Sequence, residues 1–195
     1  DAEYRIFSQS GWGVHNTWDN NINGALPKYY KEICSLMPGA ENERLGGKQP
    51  HDFASWQPDV VVVNLGTNDA ASFDQPAWTD TQTGERYKMR READGSYCME
   101  DVKVFQQAAK AFLGLLRSCN PSAQIVWCFG MLGMYFQQYI QEAVSAYAQE
   151  ASDHKVFYLP LPPMTPESAG SREHPGFKCH QQAAEVLAGY LAELL

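Results

Sequence analysis

The run Val60-Val61-Val62-Val63, followed by Asn64-Leu65-Gly66-Thr67-Asn68-Asp69, constrains this chain more than any other stretch. Consecutive β-branched apolar residues suit a strand buried on both faces, and such strands belong to parallel sheets covered by helices. The run breaks at once into polar, turn-forming residues. Ligands of open α/β sheets sit just beyond the carboxyl ends of the strands. Asn68 therefore stands where a binding or catalytic side chain is expected. Its carboxamide donates hydrogen bonds without carrying charge, which suits it to holding an oxyanion.

The remaining chain repeats the strand-then-helix pattern. Residues 4–8 read as a short strand, followed by the glycine turn Ser10-Gly11-Trp12-Gly13. Residues 26–36 have helical spacing, with Pro27 in the first turn and Pro38-Gly39 as the stop. A polar loop follows over 39–50, and residues 53–56 fit one helical turn. Residues 70–100 are polar and without period; a loop of that length is either a lid or specificity loop or a solvated excursion carrying a small hairpin. Residues 101–119 form the clearest helix, with Val102, Phe105, Ala109, Phe112 and Leu116 on one face. A strand over 124–129, a helix over 135–151, a strand over 156–159, a proline-rich loop and a helix over 178–195 complete the chain. This alternation predicts a three-layer α/β/α domain over residues 1–195 with a flavodoxin-like parallel sheet.

Composition narrows the partners. The chain has 15 basic and 23 acidic residues and a net charge of −8. Nucleic acid and anionic membranes reward basic patches, so neither is expected as a partner. No apolar run approaches the roughly 20 residues of a membrane span. Five cysteines occur without a CxxC pair, and Cys128 reads as a buried small hydrophobe. His174 and His180 are not at helical ligand spacing and no acidic cluster accompanies them, so no metal site is expected. No GxxxxGK loop is present, and no cofactor is called for.

Three chemical features fall where strand ends converge. Gly11, with Gly13, allows a backbone N–H to approach a ligand closely. Asn68 offers its amide. His174, within Arg172-Glu173-His174-Pro175-Gly176, is kept off helical geometry by the proline after it and can act as a general base. Trp12 could wall a pocket beside Gly11 or simply pack. The basic run Arg86, Lys88, Arg90 and Arg91 reads as a solvated face. Ser10 lacks the preceding glycine of a nucleophile elbow.

Gly66-Thr67-Asn68-Asp69, the upstream Ser10-Gly11 and the late His174-Pro175 resemble the blocks of the SGNH (GDSL-type) hydrolases. The likeness is strongest to the carbohydrate esterase family 2 branch of acetyl esterases, through the Ser-Gly-x-Gly turn and the approach Trp56-Gln57-Pro58-Asp59-Val60-Val61. The resemblance implies a serine esterase acting on acetyl or other short acyl esters, with an acylated carbohydrate as substrate. It assigns the Gly11 N–H and the Asn68 side chain to the oxyanion hole, His174 to the base, and Trp12 and Gly13 to the substrate side. The nucleophile and a third oxyanion arm come, in that family, from the serine of a Gly-Asp-Ser block, which this sequence does not contain. An upstream segment of the same protein is therefore expected to supply them, on a strand lying between residues 4–8 and Val60–Val63. Where relatives have an aspartate three residues before the histidine, this chain has Ser171. A Ser–His dyad follows, with Ser171 or a backbone carbonyl orienting the imidazole. Polysaccharide chemistry favours an extracellular or periplasmic location. The alternatives are a non-catalytic carbohydrate-binding or regulatory domain on the same fold, and, among enzymes, a lipase, lysophospholipase or acyl-thioesterase.

Overall fold

A computed structural model describes residues 2–33 and 39–195. The elements run α1 (Ala40–Arg44), β1 (Val60–Val63), α2 (Thr67–Ser72), β2 (Trp78–Thr79), β3 (Arg86–Tyr87), α3 (Met99–Cys119), β4 (Gln124–Met131), α4 (Gln137–Glu150), β5 (Val156–Pro163) and α5 (Phe177–Leu194). Strands β1, β4 and β5 form a parallel sheet in the order β1-β4-β5, with Val60 opposite Gln124 and Ile125 opposite Val156. Strands β2 and β3 form a separate antiparallel hairpin.

Side-chain alternation along the strands builds two cores. Ile125, Trp127 and Phe129 of β4 point to one face and pack with Val63, Phe105, Leu113, Leu116, Phe136 and Ile140 from β1, α3, α4 and the turn before α4. Val126 and Cys128 point to the other face and meet Leu159, Leu161, Ala183 and Leu187 from β5 and α5. A sheet sandwiched between α3 and α4 on one side and α5 on the other is the expected three-layer arrangement. Cys128 is buried, and burial pushes its thiol up to about 12, as befits a packing residue. Cys98, Cys119 and Cys179 are also buried free thiols, and Cys34 lies outside the described residues.

Several elements depart from their expected form. Residues 4–8 join no ladder, and Tyr4 and Ile6 are each 76% exposed. A strand needs a hydrogen-bonding neighbour, and among the described residues β1 pairs only with β4. Arg5 instead lies 4.5 Å over the Trp56 ring and Phe7 meets Tyr30 edge-on. The expected helix over 26–36 is a single 3-10 turn, Leu26–Tyr29; its last residues, from Cys34 on, lie outside the described residues. Tertiary pairing overrides the helical spacing here. The Ile33 N–H donates to the Gln49 carbonyl, the His51 N–H donates to the Lys31 carbonyl, and Tyr30 is drawn between Phe53 and Phe112. The polar loop expected over 39–50 contains the short helix α1.

The segment 70–100 opens with α2 and then forms the β2–β3 hairpin. Both of its ends are fastened. Arg91 grips Asp74 through two guanidinium nitrogens and lies 4.3 Å over Tyr97, whose ring packs on Phe73 and Phe136. The Arg90 guanidinium grips the Asp101 carboxylate, which also accepts from the Arg90 N–H at 2.6 Å. Two members of the basic run thus sit in ion pairs. β5 continues through Pro160, Pro162 and Pro163, well past the expected end at residue 159. It is the outer strand of the sheet, where a missing N–H costs no ladder bond on the solvent side.

Candidate active site

In a parallel sheet all carboxyl ends lie along one edge. Thr67-Asn68-Asp69 follows β1 and the loop bearing His174 follows β5, so the topology brings both to that edge. The turn containing Gly11 is bound to the first of these by side-chain hydrogen bonds.

Asn68, half-buried in the first turn of α2, donates from Nδ2 to the Trp12 carbonyl at 2.9 Å. A carbonyl can only accept, which fixes the orientation of the carboxamide. One of the two Nδ2 hydrogens is used in this bond and the second is available to a ligand. Gly11, at φ +78°, sits in the left-handed region that glycine enters without strain. Its carbonyl accepts from the Trp18 N–H at 2.9 Å, while its own N–H takes no acceptor among the described residues. The amide of Asn68 and the turn of Gly11 are thus held side by side through Trp12. The Trp12 ring is half-buried against Tyr29, with centroids 5.2 Å apart.

Asp69 does the larger part of this fastening. It is fully buried and its carboxylate accepts from the Val14 N–H at 2.9 Å, the His15 N–H at 2.8 Å and the Asn16 N–H at 3.5 Å. Successive backbone N–H groups converging on one anion form a nest. Gly13 borders it. A Cβ there would stand 2.3 Å from Asp69 Oδ2, so only glycine fits. Burial raises the Asp69 carboxyl to about 6 against the pull of these donors, which leaves it ionised at neutral pH.

Asn20 extends the tether. It is buried, with φ +69°, and donates from Nδ2 to the carbonyls of Ser72 at 2.9 Å and Pro76 at 3.0 Å. Its Oδ1 accepts from the Met89 N–H at 2.8 Å. One side chain therefore joins the Gly11–Asn20 loop to both flanks of the β2–β3 hairpin.

His174 is exposed, just ahead of α5. Its Nδ1 lies 2.8 Å from the Arg172 carbonyl, so Nδ1 carries the proton and Nε2 presents a free lone pair. Of the two possible orienters, the imidazole contacts the backbone carbonyl. Ser171 contributes through its main chain, its carbonyl accepting from the His174 N–H at 3.1 Å. Arg172 and Glu173 adopt φ values of +54° and +60°. Side-chain-bearing residues pay of order 1 kcal/mol each for that region, and here the strain turns the Arg172 carbonyl onto the ring. A bridge between Ala169 and Pro175 and the bond from the Gly170 N–H to the His174 carbonyl, 2.7 Å, close the loop.

Asp69, Asn20 and the Arg172 carbonyl were not singled out from sequence. Asp69 left a signal, an acidic residue directly after an apolar strand and its polar turn. Arg172 left none, because its role is carried by a backbone atom. Among the described residues no serine hydroxyl hydrogen-bonds to His174.

Asn68 and the Gly11 turn offer hydrogen-bond donors, and the imidazole of His174 is a group that can accept a proton. The profile of the GDSL-like Lipase/Acylhydrolase family matches residues 7–184. An acetylxylan esterase/glucomannan deacetylase of Cellvibrio japonicus is 32% identical over 126 residues, 65% of this chain and 28% of that protein. The structure of an acetyl xylan esterase (Est2A) from the rumen bacterium Butyrivibrio proteoclasticus superposes with a TM-score of 0.91 at 45% identity, over 94% of this chain and 49% of that one. A family two carbohydrate esterase from Clostridium thermocellum, solved with cellohexaose, shares the fold at a TM-score of 0.66 and 23% identity, over 94% of this chain and 47% of that one. The chain thus spans half or less of the length of each of these relatives. With the family's profile matched from residue 7 to residue 184, the chain belongs to the GDSL-like lipase/acylhydrolase family.

Proposed function

We propose that the chain is the downstream part of a serine esterase that removes acetyl groups from carbohydrate, with the nucleophilic serine supplied by an upstream segment of the same protein. The observation that carries this reading is the bond from Asn68 Nδ2 to the Trp12 carbonyl, which holds Asn68 against the turn of Gly11, and these two would serve as the oxyanion donors. The 45% identity to an acetyl xylan esterase supports the choice of substrate class. The open side of β1 supports the upstream strand, since among the described residues β1 has a strand neighbour only in β4.

In the proposed reaction the serine Oγ attacks the ester carbonyl and its proton passes to His174 Nε2. The Arg172 carbonyl holds the opposite ring nitrogen and steadies the imidazolium that forms. The developing oxyanion accepts from the Gly11 N–H and from Asn68 Nδ2. Collapse breaks the ester bond, and Nε2 returns the proton to the sugar hydroxyl as it leaves. Water then attacks the acyl-serine as His174 takes its proton; collapse breaks the bond from acyl carbon to Oγ, acetate leaves, and the proton passes from Nε2 to the serine Oγ. Trp12 and Gly13 lie beside these donors and would border the acyl group. A polysaccharide substrate would place the enzyme outside the cell or in the periplasm.

The test compares p-nitrophenyl acetate and acetylated xylan turnover by the chain joined to its native upstream segment with turnover by residues 1–195 alone. Activity is expected only in the joined protein. His174→Ala should abolish it, and Asn68→Ala should lower kcat by roughly 10²–10³-fold. A joined protein whose kcat ignores both substitutions would remove these residues from the reaction.

A further inference from the structure

We propose that Asp69 is a positioning residue for this esterase chemistry: its carboxylate anchors the Gly11–Asn16 loop against α2 and so sets the spacing between the two oxyanion donors. The inference rests on the function proposed above and adds a residue to it.

The geometry requires a link between the donors. Gly11 belongs to a loop and Asn68 to a helix, and they are far apart in the chain. Among the described residues, two sets of bonds join residues 11–16 of that loop to α2. One is the bond from Asn68 to the Trp12 carbonyl. The other is the set of N–H groups of Val14, His15 and Asn16 that end on Asp69. Asp69 follows Asn68 directly in the rigid first turn of α2, so the carboxylate and the carboxamide move as one body. Gly13 lies between the residue whose carbonyl Asn68 holds and the residue whose N–H Asp69 holds. Its missing Cβ lets the carboxylate come that close. Burial strengthens the anchor, since charge-assisted bonds in a water-free site are stronger than their neutral counterparts. The Ser72 hydroxyl donates to the Asp69 carbonyl at 2.7 Å and holds the same turn from behind. Asn carries the shape of Asp but offers a single acceptor oxygen. In Asp69→Asn its amide group would face the Val14 N–H, donor against donor, and the loop would move outward. Misplacement of about 1 Å at a reacting centre costs roughly 10²-fold.

The experiment uses the protein joined to its upstream segment, assayed with p-nitrophenyl acetate. Asp69→Asn should lower kcat by about 10²-fold with KM within about twofold, because a displaced oxyanion arm is felt in the transition state rather than in substrate binding. The same substitution made in the Asn68→Ala background should cost much less, since the spacing it protects no longer matters there. An equal loss in both backgrounds, or an unchanged kcat, overturns the proposal. Amide exchange in the unsubstituted protein covers the case in which Asp69→Asn does not fold. The Val14, His15 and Asn16 amides should exchange slowly, and exchange at the rate of a free loop also overturns it. Failure of the unsubstituted protein to turn over any ester removes the esterase reading together with this role. An active protein indifferent to Asp69→Asn removes this role alone.

Discussion

Asn68 and Asp69 are neighbours with opposite requirements. Asn68 is half-buried and keeps one N–H for a ligand, whereas Asp69 is sealed in and gives its whole carboxylate to the backbone. The pair shows how much of the site a sequence can display. Asn68 is legible because a polar residue at the end of a buried strand has few structural reasons to be there. Asp69 satisfies a loop some 55 residues away in the chain, and nothing local announces that bond. Its ionisation is measurable. Burial raises the carboxyl from 3.8 to about 6, so the folded protein binds this proton more tightly than the unfolded chain does. The stability from this proton is full below about pH 4 and is lost as pH rises through 6, a loss of roughly 3 kcal/mol by pH 7. His15, beside it, works the other way. Burial and then Lys28 lower its imidazole, so it favours the fold as pH rises. The difference in unfolding free energy between the unsubstituted protein and Asp69→Asn isolates the carboxyl. That difference should shift against the unsubstituted protein between about pH 4 and pH 6, and a flat difference would show that the carboxyl titrates as it does in the unfolded chain.

Among the elements, those with a long apolar period were legible and those shaped by distant partners were not. α3 follows from one apolar stripe, and its described span exceeds the expected one by only two residues at the amino end. The helix expected over 26–36 has an equally regular stripe, but it is too short to stand alone, and in its described part, up to residue 33, pairing with residues 49–51 wins. α2 escaped notice because a helix of six residues leaves no period to detect. Ends of elements are held by side chains that period arguments ignore, and Arg117 is the strongest case. From the last turn of α3 it pairs with Asp153 through Nε at 2.7 Å, and its Nη1 donates to the carbonyls of Asn120 at 3.0 Å and Ala123 at 2.7 Å. It thereby joins the entry of β4 to the turn before β5. Burial raises the Asp153 carboxyl, but the Arg117 guanidinium and the Lys155 N–H together outweigh it and hold the group below the usual aspartate range. Arg117→Met should therefore destabilise the fold by about 2–3 kcal/mol, because it takes the donor from two carbonyls and leaves the Asp153 carboxylate with only the Lys155 N–H. The contribution from Asp153 is present above pH 4 and disappears as pH falls below it, so the gap between the two proteins should narrow in acid. Urea unfolding at neutral and acid pH reads both effects.

For the whole molecule, the sheet is complete on one side and open on the other. α5 packs on β4 and β5, and Val126, Cys128, Leu159 and Leu161 are buried beneath it. β1 lies at the far margin, where Val62 points to the same face as Val126 yet is 43% exposed. A run of four valines predicts burial on both faces, so this valine and the unladdered residues 4–8 mark a place where the layer pattern and the described fold disagree. Both follow if a strand belongs between them, because an inserted strand pairs with β1 on one side and with residues 4–8 on the other. The connection after that strand would return as a helix, and right-handed crossover puts it on the α5 face, over Val62. Val62 thus reports whether the insertion occurs. In residues 1–195 alone, Val62→Lys should change stability by no more than about 0.5 kcal/mol, as at an ordinary surface site. In the protein joined to its upstream segment, the same lysine would have to bury an ammonium between sheet and helix, and several kcal/mol should be lost. The same insertion should slow amide exchange at residues 4–8, each new ladder bond adding about 1 kcal/mol of net stability. Equal effects of Val62→Lys in the two proteins, with residues 4–8 exchanging freely in both, would mean that the sheet ends at β1 and that the nucleophile reaches the site by another route.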